Sequence, residues 1–217
     1  MKPFLLIVFA YLLGSIPSSY IAGRLVKGID LRQFGSGTVG GSMVWEHVAR
    51  WAIFPVGIFD IFKAFFPTWI ALYLQQPEFI AILAGMASVI GHNWSIYLGF
   101  TGGRGLSPFI GVLLAIFPWG FLWMLIFLAI GYLMGDSAPW ALASLVTLPL
   151  PAVFLDNPQS VALASGIMLL VTFLKRVEAN GRPLPPKGPE RGWVLFWRLI
   201  FDRDIPSHRD WISRRPE

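Results

Sequence analysis

The sequence contains no cysteine among its 217 residues. This absence excludes disulfide bonds, thiol nucleophiles and cysteine-ligated metals. Histidine is also scarce: only His47, His92 and His208 occur, and no two of them have the spacing of paired metal ligands. The sequence therefore predicts no metal site, and we expect no cofactor.

Charged residues are the second scarcity. They make up 13% of the chain, about half the fraction usual in soluble domains, whereas 55% of the residues are apolar. A chain with so few charges cannot cover itself with a polar surface in water. This composition excludes an ordinary soluble domain and predicts an all-α integral membrane protein.

Long apolar runs divide the chain into candidate membrane spans, each compared with the roughly 20 residues that a helix needs to cross the hydrocarbon core. The predicted spans are Phe4–Gly23, Trp51–Leu74, Phe79–Phe100, Leu106–Phe117, Trp119–Gly135, Pro139–Leu155 and Ser160–Leu174. A single helix over 106–135 would be about 45 Å long, well beyond a core of about 30 Å. We therefore predict a reversal at 117–119 and about seven transmembrane helices, with six as the alternative.

Basic residues beside the first span indicate its orientation. Arg24, Lys27 and Arg32 follow it, whereas only Lys2 precedes it, and cytoplasmic flanks carry the excess of positive charge. The N-terminus is therefore predicted outside and the C-terminus in the cytoplasm, with the first span retained rather than removed as a secretory signal. The turns 75–78 and 156–158 then fall on the outer side. The expected location is the plasma membrane.

A glycine-rich loop lies between Arg32 and Arg50. Residues 35–42 include four glycines and three hydroxyl side chains: Gly35, Gly37, Gly40, Gly41, Ser36, Thr38 and Ser42. The backbone N–H groups of such a loop can point inward and surround an anion. The alternative is a flexible connector, because glycine and serine are common in loops. We predict a phosphate-binding loop at the membrane surface.

A second glycine-rich loop, Gly99–Gly105, contains Arg104 between two of its glycines, Gly103 and Gly105. The planar guanidinium group of arginine suits phosphate oxygens. In the predicted topology both loops lie on the cytoplasmic side, so together they predict an anion site with two walls. His92 precedes the second loop, and it is either a proton carrier or a structural hydrogen-bonding residue.

The second span carries Asp60 and Lys63, three residues apart and therefore on one helical face. Charges inside a membrane are costly unless they pair and face the interior of the helix bundle. We predict an ion pair that fixes helix packing or shapes the site. A transporter would need further polar residues at mid-membrane, so a transport function ranks last.

The chain is predicted to consist of a membrane domain, 1–182, and a basic tail, 183–217. Of the 17 Lys and Arg residues, ten lie from Lys175 onward. The tail begins with a proline-rich spacer and continues into the aromatic segment 192–201, which is too short to span a membrane. We predict that this segment is an anchor helix in the cytoplasmic interface. Its aromatic residues fit lipid rather than nucleic acid as a partner.

Four ordered motifs and their spacing carry a family resemblance. They are GSIP at Gly14–Pro17, GSGTVGGS at Gly35–Ser42, DIFK at Asp60–Lys63 and GHNWSIYLGFTGGRG at Gly91–Gly105, with a weaker match at Asn180–Arg182. Over about residues 1–182 the chain resembles the PlsY-type bacterial acyltransferases, which use acyl phosphate and glycerol 3-phosphate. The resemblance implies transfer of a fatty acyl group to glycerol 3-phosphate, forming lysophosphatidic acid for phospholipid synthesis at the cytoplasmic membrane face.

The resemblance also implies roles for individual residues. Ser36 would hydrogen-bond the acyl phosphate within the first loop, Arg104 would hold the phosphate of glycerol 3-phosphate, and Asn180 would help to orient it. The further residues expected to bind substrate or phosphate are Gly35, Gly37, Thr38, Gly40, Ser42, Arg50, His92, Gly102, Gly103 and Arg182. The expected partners are the two substrates and membrane lipids.

Departures from the family pattern motivate an alternative. Glu46 stands where the family has an arginine, Val177 where it has a histidine, and Arg104 where it has a lysine. Arg50 or Arg176 would have to supply the missing positive charge. The alternative is a catalytically impaired membrane protein of the same type that binds an acyl phosphate or a lipid headgroup.

Overall fold

The computed structural model describes residues 2–155 and 158–215, and their regular structure is helical. The helices are α1 (Pro3–Gly14), α2 (Ser18–Lys27), α3 (Gly41–Met43), α4 (Ile53–Tyr73), α5 (Glu78–Asn93), α6 (Leu106–Ile116), α7 (Pro118–Leu133), α8 (Ser137–Thr147), α9 (Pro149–Phe154), α10 (Pro158–Glu178), α11 (Pro189–Phe201) and α12 (His208–Ile212). Short 3-10 and π turns join several of them. The predicted all-α fold class is confirmed.

Seven apolar helical segments correspond to the seven predicted spans. Among the described residues, four are long and apolar enough to cross a membrane: Pro3–Lys27, Arg50–Tyr73, Ser137–Phe154 and Gln159–Gly181. The other three, α5, α6 and α7, are apolar but shorter. With 11 residues, α6 is only about 16 Å long, so it runs part of the way through a core of about 30 Å. The orientation of the chain in the membrane stays a prediction.

Two breaks in the helices can be compared with the sequence analysis. The predicted reversal at 117–119 is confirmed, because Phe117 leaves the helical conformation between α6 and α7 and Pro118 opens α7. The predicted first span corresponds to the candidate span Pro3–Lys27, which contains a break that the sequence analysis did not predict: α1 ends at Gly14 and α2 begins at Ser18. Pro17 explains this break, since proline has no N–H to donate to the preceding turn.

The third and sixth predicted spans differ in detail from the helices of the structure. The third span was expected to run to Phe100, but α5 ends at Asn93 because Trp94 adopts a non-helical conformation. The predicted sixth span corresponds to the candidate span Ser137–Phe154, within which Leu148 keeps helical backbone angles between the end of α8 at Thr147 and the start of α9 at Pro149. The predicted outer turn at 156–158 lies largely outside the described residues.

Close helix packing positions the membrane part of the chain. Helices α4, α5, α6 and α10 surround an apolar core that includes Ile82, Met86, Phe109, Leu113 and Met168. Helix α1 lies against α5 where Gly14 meets the backbone of Ser88, and a Cβ atom at Gly14 would collide with that backbone. Small residues allow this close approach of membrane helices.

The tail returns to the end of the membrane helices where the two glycine-rich loops lie. Helix α11 packs on α8 and α10. One of its faces carries the exposed aromatic residues Trp193 and Phe196, whereas Arg198 on the same helix is 1% exposed. The placement of α11 at a membrane interface stays a prediction, but its buried arginine ties it to the rest of the chain.

Candidate active site

The first glycine loop brings two hydroxyl groups together. Gly35 and Gly37 have positive φ values of 49° and 68°, a conformation that glycine adopts without steric cost. Between and after them, the Ser36 Oγ and Thr38 Oγ1 atoms are 2.5 Å apart, and the Thr38 N–H donates to Ser36 Oγ at 3.3 Å. Both side chains are buried. One hydroxyl donates to the other, so the turn has one hydroxyl proton left to donate to a ligand.

The second glycine loop lies directly against the first. The Val39 N–H donates to the Gly102 carbonyl at 3.1 Å, and the Gly103 N–H donates to the His92 carbonyl at 3.1 Å. A Cβ atom at Gly103 would collide with the His92 ring. Glycine at this position therefore lets the imidazole reach the loop, and Arg104 follows on the same turn.

Asn180 ties the two loops together. Its Nδ2 group donates to the carbonyls of Gly37 and Gly102, both at 3.2 Å, and its Oδ1 atom accepts from the Gly102 N–H at 3.3 Å. Arg182 adds a bond from Nη2 to the Gly35 carbonyl at 2.8 Å. Burial lowers the pKa of the Arg182 guanidinium. The Asn180 amide is thus occupied by backbone groups and holds the walls of the site.

A buried charged cluster, Asp60 with Lys63 and His92, lies beside the loops and is called the inner cluster below. Lys63 Nζ donates to Asp60 Oδ1 at 2.8 Å, to the Ile16 carbonyl at 3.1 Å and to His92 Nδ1 at 2.9 Å. Because an ammonium group can only donate, His92 Nδ1 is the acceptor and the ring proton is on Nε2. Ser18 Oγ donates to Asp60 Oδ1 at 2.7 Å. The predicted ion pair is confirmed.

The tail reaches Arg104 through Asp202. Arg104 Nε donates to Asp202 Oδ2 at 2.8 Å, and its Nη1 atom donates to the Lys175 carbonyl at 3.1 Å. Both side chains of the ion pair are largely buried, with exposed fractions of 17% and 20%. Arg104, which is expected to hold a phosphate, is therefore already anchored through Nε by Asp202 of the tail.

Helix α12 and the residues after it cover the first glycine loop. The Gly35 N–H donates to the Arg214 carbonyl at 2.8 Å, and His47 Nε2 donates to the Ile212 carbonyl at 2.8 Å. The Trp211 ring lies 4.3 Å from the guanidinium carbon of Arg182 and 4.6 Å from that of Arg214. These cation–π contacts and hydrogen bonds hold α12 against the loop.

A cavity of about 810 Å³ lies between these elements, within the range of small-molecule sites. The predicted site residues that line it are Ser36, Thr38, Gly40, Ser42, His92 and Arg104. Asp60 contributes from the inner cluster, and the tail contributes Asp202, His208 and Arg209. The cavity thus combines hydroxyl groups, a guanidinium group and an apolar lining from the membrane helices.

The other predicted residues occupy different places. The described residues that line the cavity do not include Gly35, Gly37, Gly102, Gly103, Asn180 and Arg182. Asn180 and Arg182 instead donate hydrogen bonds to backbone carbonyls of the first loop. Arg50 is not brought to the cavity, since its guanidinium group lies 5.3 Å from the Trp45 ring and the residue is exposed. Glu46 does line the cavity and is exposed.

Arg176 lines the cavity, but its guanidinium group is bound elsewhere. Its Nη1 atom donates to the carbonyls of Leu199 and Ile200 at 2.6 and 3.0 Å, and its Nη2 atom donates to the Ala138 carbonyl at 2.9 Å. Val177 is 38% exposed. Arg176 therefore fastens the tail instead of replacing the missing charge.

Sequence reasoning missed the contribution of the tail to the site. Asp202 and Arg209 follow an aromatic helix that was interpreted as a membrane anchor, and no spacing rule links them to a loop about a hundred residues away. The one local signal was the clustering of acidic and basic residues directly after the aromatic segment, at 202–204. Such clusters are common on solvated surfaces, so the signal had little specificity.

Comparison with known proteins now adds to this geometry. A family model described as glycerol-3-phosphate acyltransferase matches residues 4–182. A protein of that name from Gloeobacter violaceus is 40% identical over 48% of this chain, and the match spans about half, 53%, of that relative. Glycerol-3-phosphate acyltransferase 1 of Dehalococcoides mccartyi is 37% identical over 88% of this chain and 96% of its own length.

Solved structures of PlsY, an integral membrane glycerol 3-phosphate acyltransferase, have the same fold. The glycerol 3-phosphate form has a TM-score of 0.75 and 28% identity, covering 84% of this chain and 92% of the PlsY chain. The lysophosphatidic acid form has a TM-score of 0.71 and 26% identity, covering 84% and 91%. The family match, the near full-length relative and the shared fold agree. The chain belongs to the glycerol-3-phosphate acyltransferase family.

Proposed function

We propose that this protein transfers a fatty acyl group from acyl phosphate to a hydroxyl group of glycerol 3-phosphate, forming lysophosphatidic acid for phospholipid synthesis. The observation that carries the proposal is the cavity between the two glycine loops, where the Ser36 and Thr38 hydroxyls and the Arg104 guanidinium share one space. Family membership and the PlsY structures with glycerol 3-phosphate and lysophosphatidic acid support the same reaction.

The two substrates are assigned to different walls. The first loop holds the acyl phosphate, with the Ser36 hydroxyl as a donor to its phosphate, and Arg104 holds the phosphate of glycerol 3-phosphate. Both substrates are anions, and guanidinium and hydroxyl donors recognise phosphate oxygens. Asn180 acts indirectly, because its amide is bound to the backbone of both loops. It sets their separation.

The reaction needs little more than positioning and charge stabilisation. The hydroxyl oxygen of glycerol 3-phosphate attacks the acyl carbon, while the bond from that carbon to the phosphate oxygen breaks and phosphate departs with the electron pair. The hydroxyl proton is transferred to the departing phosphate, which leaves as hydrogen phosphate. Acyl phosphate is a mixed anhydride and is already activated. His92 donates from Nε2, because its Nδ1 atom accepts from Lys63. Fixed donors stabilise the negative charge that develops on the transferred group.

We further propose that the site faces the cytoplasm at the plasma membrane. The basic residues after the first span and in the tail are the support, since positive residues accumulate on the cytoplasmic side of membrane proteins. Glycerol 3-phosphate would then reach the cavity from the cytoplasm, and the acyl chain would lie among the membrane helices.

An assay of the full chain in detergent tests the function. Acyl phosphate and labelled glycerol 3-phosphate are expected to give lysophosphatidic acid. The Ser36→Ala and Arg104→Ala variants are each expected to lower kcat/KM by about 100-fold or more, the effect of removing one donor of developing charge. Ser213→Ala and Arg215→Ala, at exposed tail positions, are the matched controls and should leave the rate unchanged.

The contrary result is equally specific. If the unsubstituted protein binds acyl phosphate but forms no product, the proposed activity is wrong. The protein would then be a binding protein that has kept the fold of the family without its chemistry.

A further inference from the structure

The Arg104 guanidinium group is held by the protein through two of its nitrogen atoms. Arginine has five N–H groups in a planar fork. In Arg104, Nε donates to Asp202 Oδ2 at 2.8 Å and Nη1 donates to the Lys175 carbonyl at 3.1 Å. Two of the five N–H groups are therefore occupied by the protein. The other three, two on Nη2 and one on Nη1, have no partner among the described residues and are left for a ligand in the cavity that Arg104 lines.

Asp202 is itself fixed by contacts that do not involve Arg104. It ends α11 in the left-handed conformation, with φ 57° and ψ 35°. The carbonyls of Leu199 and Ile200, just before it, accept from Arg176 Nη1. The next residue, Arg203, is 5% exposed and is ion-paired with Asp136. The backbone on both sides of Asp202 is thus anchored to the membrane helices.

The Asp202 carboxylate is directed at Arg104. Within the described residues, Arg104 is the hydrogen-bond donor to Oδ2, and the buried Oδ1 atom has no donor. A carboxylate that capped a helix or closed a local turn would accept from nearby backbone N–H groups, and within the described residues no backbone group donates to Asp202. The contact with Arg104 joins residues 98 positions apart, so the tail delivers this group to the far side of the site.

We propose that Asp202 is a positioning residue for the reaction: the tail holds it against Arg104 so that the free N–H groups of the guanidinium face the substrate phosphate. The proposal rests on the proposed function, in which Arg104 binds the phosphate of glycerol 3-phosphate. An arginine side chain has about 2 kcal/mol of rotamer entropy to lose when it is fixed. Asp202 fixes the side chain before the substrate arrives, so binding does not have to supply that ordering.

A competing interpretation makes the opposite prediction. If Asp202 were a lid or a substitute for phosphate, it would have to leave Arg104 before the substrate could bind, and its removal would strengthen anion binding. The buried anchors on either side of Asp202 oppose such a movement. Arg176 and Arg203, at 4% and 5% exposure, would have to give up their carbonyl and carboxylate partners.

The test compares Asp202→Ala and Asp202→Asn in the full-length protein in detergent. Asp202→Ala is expected to raise KM for glycerol 3-phosphate by about 10-fold, equivalent to about 1.4 kcal/mol, with kcat changed by less than about 3-fold. Asp202→Asn keeps an acceptor oxygen in the same position and is expected to recover most of the loss. Asp210→Ala, at an exposed position of the same tail, is the matched control and should leave KM unchanged.

Calorimetric titration with glycerol 3-phosphate and with inorganic phosphate separates this inference from the proposed function. Weaker binding of both ligands to Asp202→Ala supports the inference even if the unsubstituted protein forms no product. A merely structural role would lower the active fraction, and hence kcat, without moving KM or the dissociation constant.

Three results overturn the inference. They are unchanged KM and binding in Asp202→Ala, tighter binding in that variant, and absence of glycerol 3-phosphate binding to the unsubstituted protein. If Asp202→Ala fails to fold, Asp202→Glu replaces it, because a longer carboxylate displaces the guanidinium group while keeping the charge. Unchanged KM in a folded Asp202→Glu variant would likewise overturn the inference.

Discussion

The inner cluster and the ion pairs of the tail bury charge around the same cavity, but at different depths. Asp60 and Lys63 are at most 3% exposed and lie three residues apart on α4. In the tail, Arg104–Asp202 and Asp136–Arg203 join residues 98 and 67 positions apart, and each aspartate is 20% exposed. The Asp60–Lys63 pair is therefore local in sequence and almost fully buried, whereas the tail pairs are distant in sequence and partly exposed.

Because of this difference, we expect the two kinds of ion pair to stabilise different parts of the protein. Removing one charge of a buried pair leaves the other without solvent or partner, which is costly. In the tail, water can replace part of a lost contact, so the cost is smaller and stays near the docking surface. We expect the inner cluster to maintain the helix bundle and the tail pairs to maintain the outer wall of the site.

The largest effect is expected from Asp60→Asn. The change leaves the Lys63 ammonium buried without a counter-charge and should lower the free energy of unfolding by about 3–5 kcal/mol. Unfolding of the purified protein in detergent measures this loss. Glu78→Gln, at an exposed position in the first turn of α5, is the control, with an expected change below about 0.5 kcal/mol. Equal stabilities of the two variants would contradict the role in maintaining the helix bundle that is assigned to the inner cluster.

A smaller, local effect is expected from Arg198→Met. Arg198 Nε donates to Asp204 Oδ1 at 2.6 Å and its Nη2 atom donates to the Pro183 carbonyl at 3.2 Å. Loss of these bonds should weaken the docking of the tail by about 1–3 kcal/mol. Limited proteolysis is expected to cut within 183–215 faster, while the melting temperature of the membrane helices stays unchanged.

Arg191→Met on the same helix, where the side chain is partly exposed, is the control for that experiment. A fall in the melting temperature of the whole protein with Arg198→Met would contradict the local role assigned to the tail pairs.

The smallest effect is expected at Asp30, which is 8% exposed but pairs with arginines that are more exposed than those of the tail pairs. Asp30 pairs with Arg32 and Arg24, whose side chains are 39% and 46% exposed. The hydrogen bond from Arg32 lowers the pKa of Asp30 from its usual 3.8. The folded state thus favours the carboxylate, and its contribution is present above pH 3.8 and disappears as the pH falls through the lowered pKa.

Asp30→Asn should therefore cost at most about 1 kcal/mol near neutral pH. The difference between variant and parent should shrink as unfolding is measured at progressively lower pH, toward about pH 2. A difference that is constant over this range would show that the charge of Asp30 is not the stabilising feature.

Much of the membrane part was predictable because its signals are local. The apolar runs predicted the helical segments, and the reversal before Pro118 followed from helix length. Asp60 and Lys63 were predicted to pair because three positions along a helix lie on one face. The glycine loops were recognised from their composition, and the structure brings Ser36, Thr38 and Arg104 to one cavity. Their roles with substrate stay proposals.

Other features could not be predicted from local pattern. His92 joins the inner cluster only because α5 packs beside α4, and Gly103 leaves room for its ring. Asn180 was expected to orient a substrate, yet its amide is bound to both glycine loops. In each case the partner belongs to another element, and sequence spacing carries no information about which elements meet.

The sequence alone therefore determined the helical membrane architecture, the buried Asp60–Lys63 pair and the loops that form the two walls, since hydrophobic periodicity and composition act within one element. The tertiary structure alone decided that the tail closes the site and that Asp202 reaches Arg104. That contact depends on how α11 packs against α8 and α10 and on the buried arginines that fix its end, Arg176 and Arg203. Packing of this kind depends on several elements at once, so no single stretch of the chain encodes it.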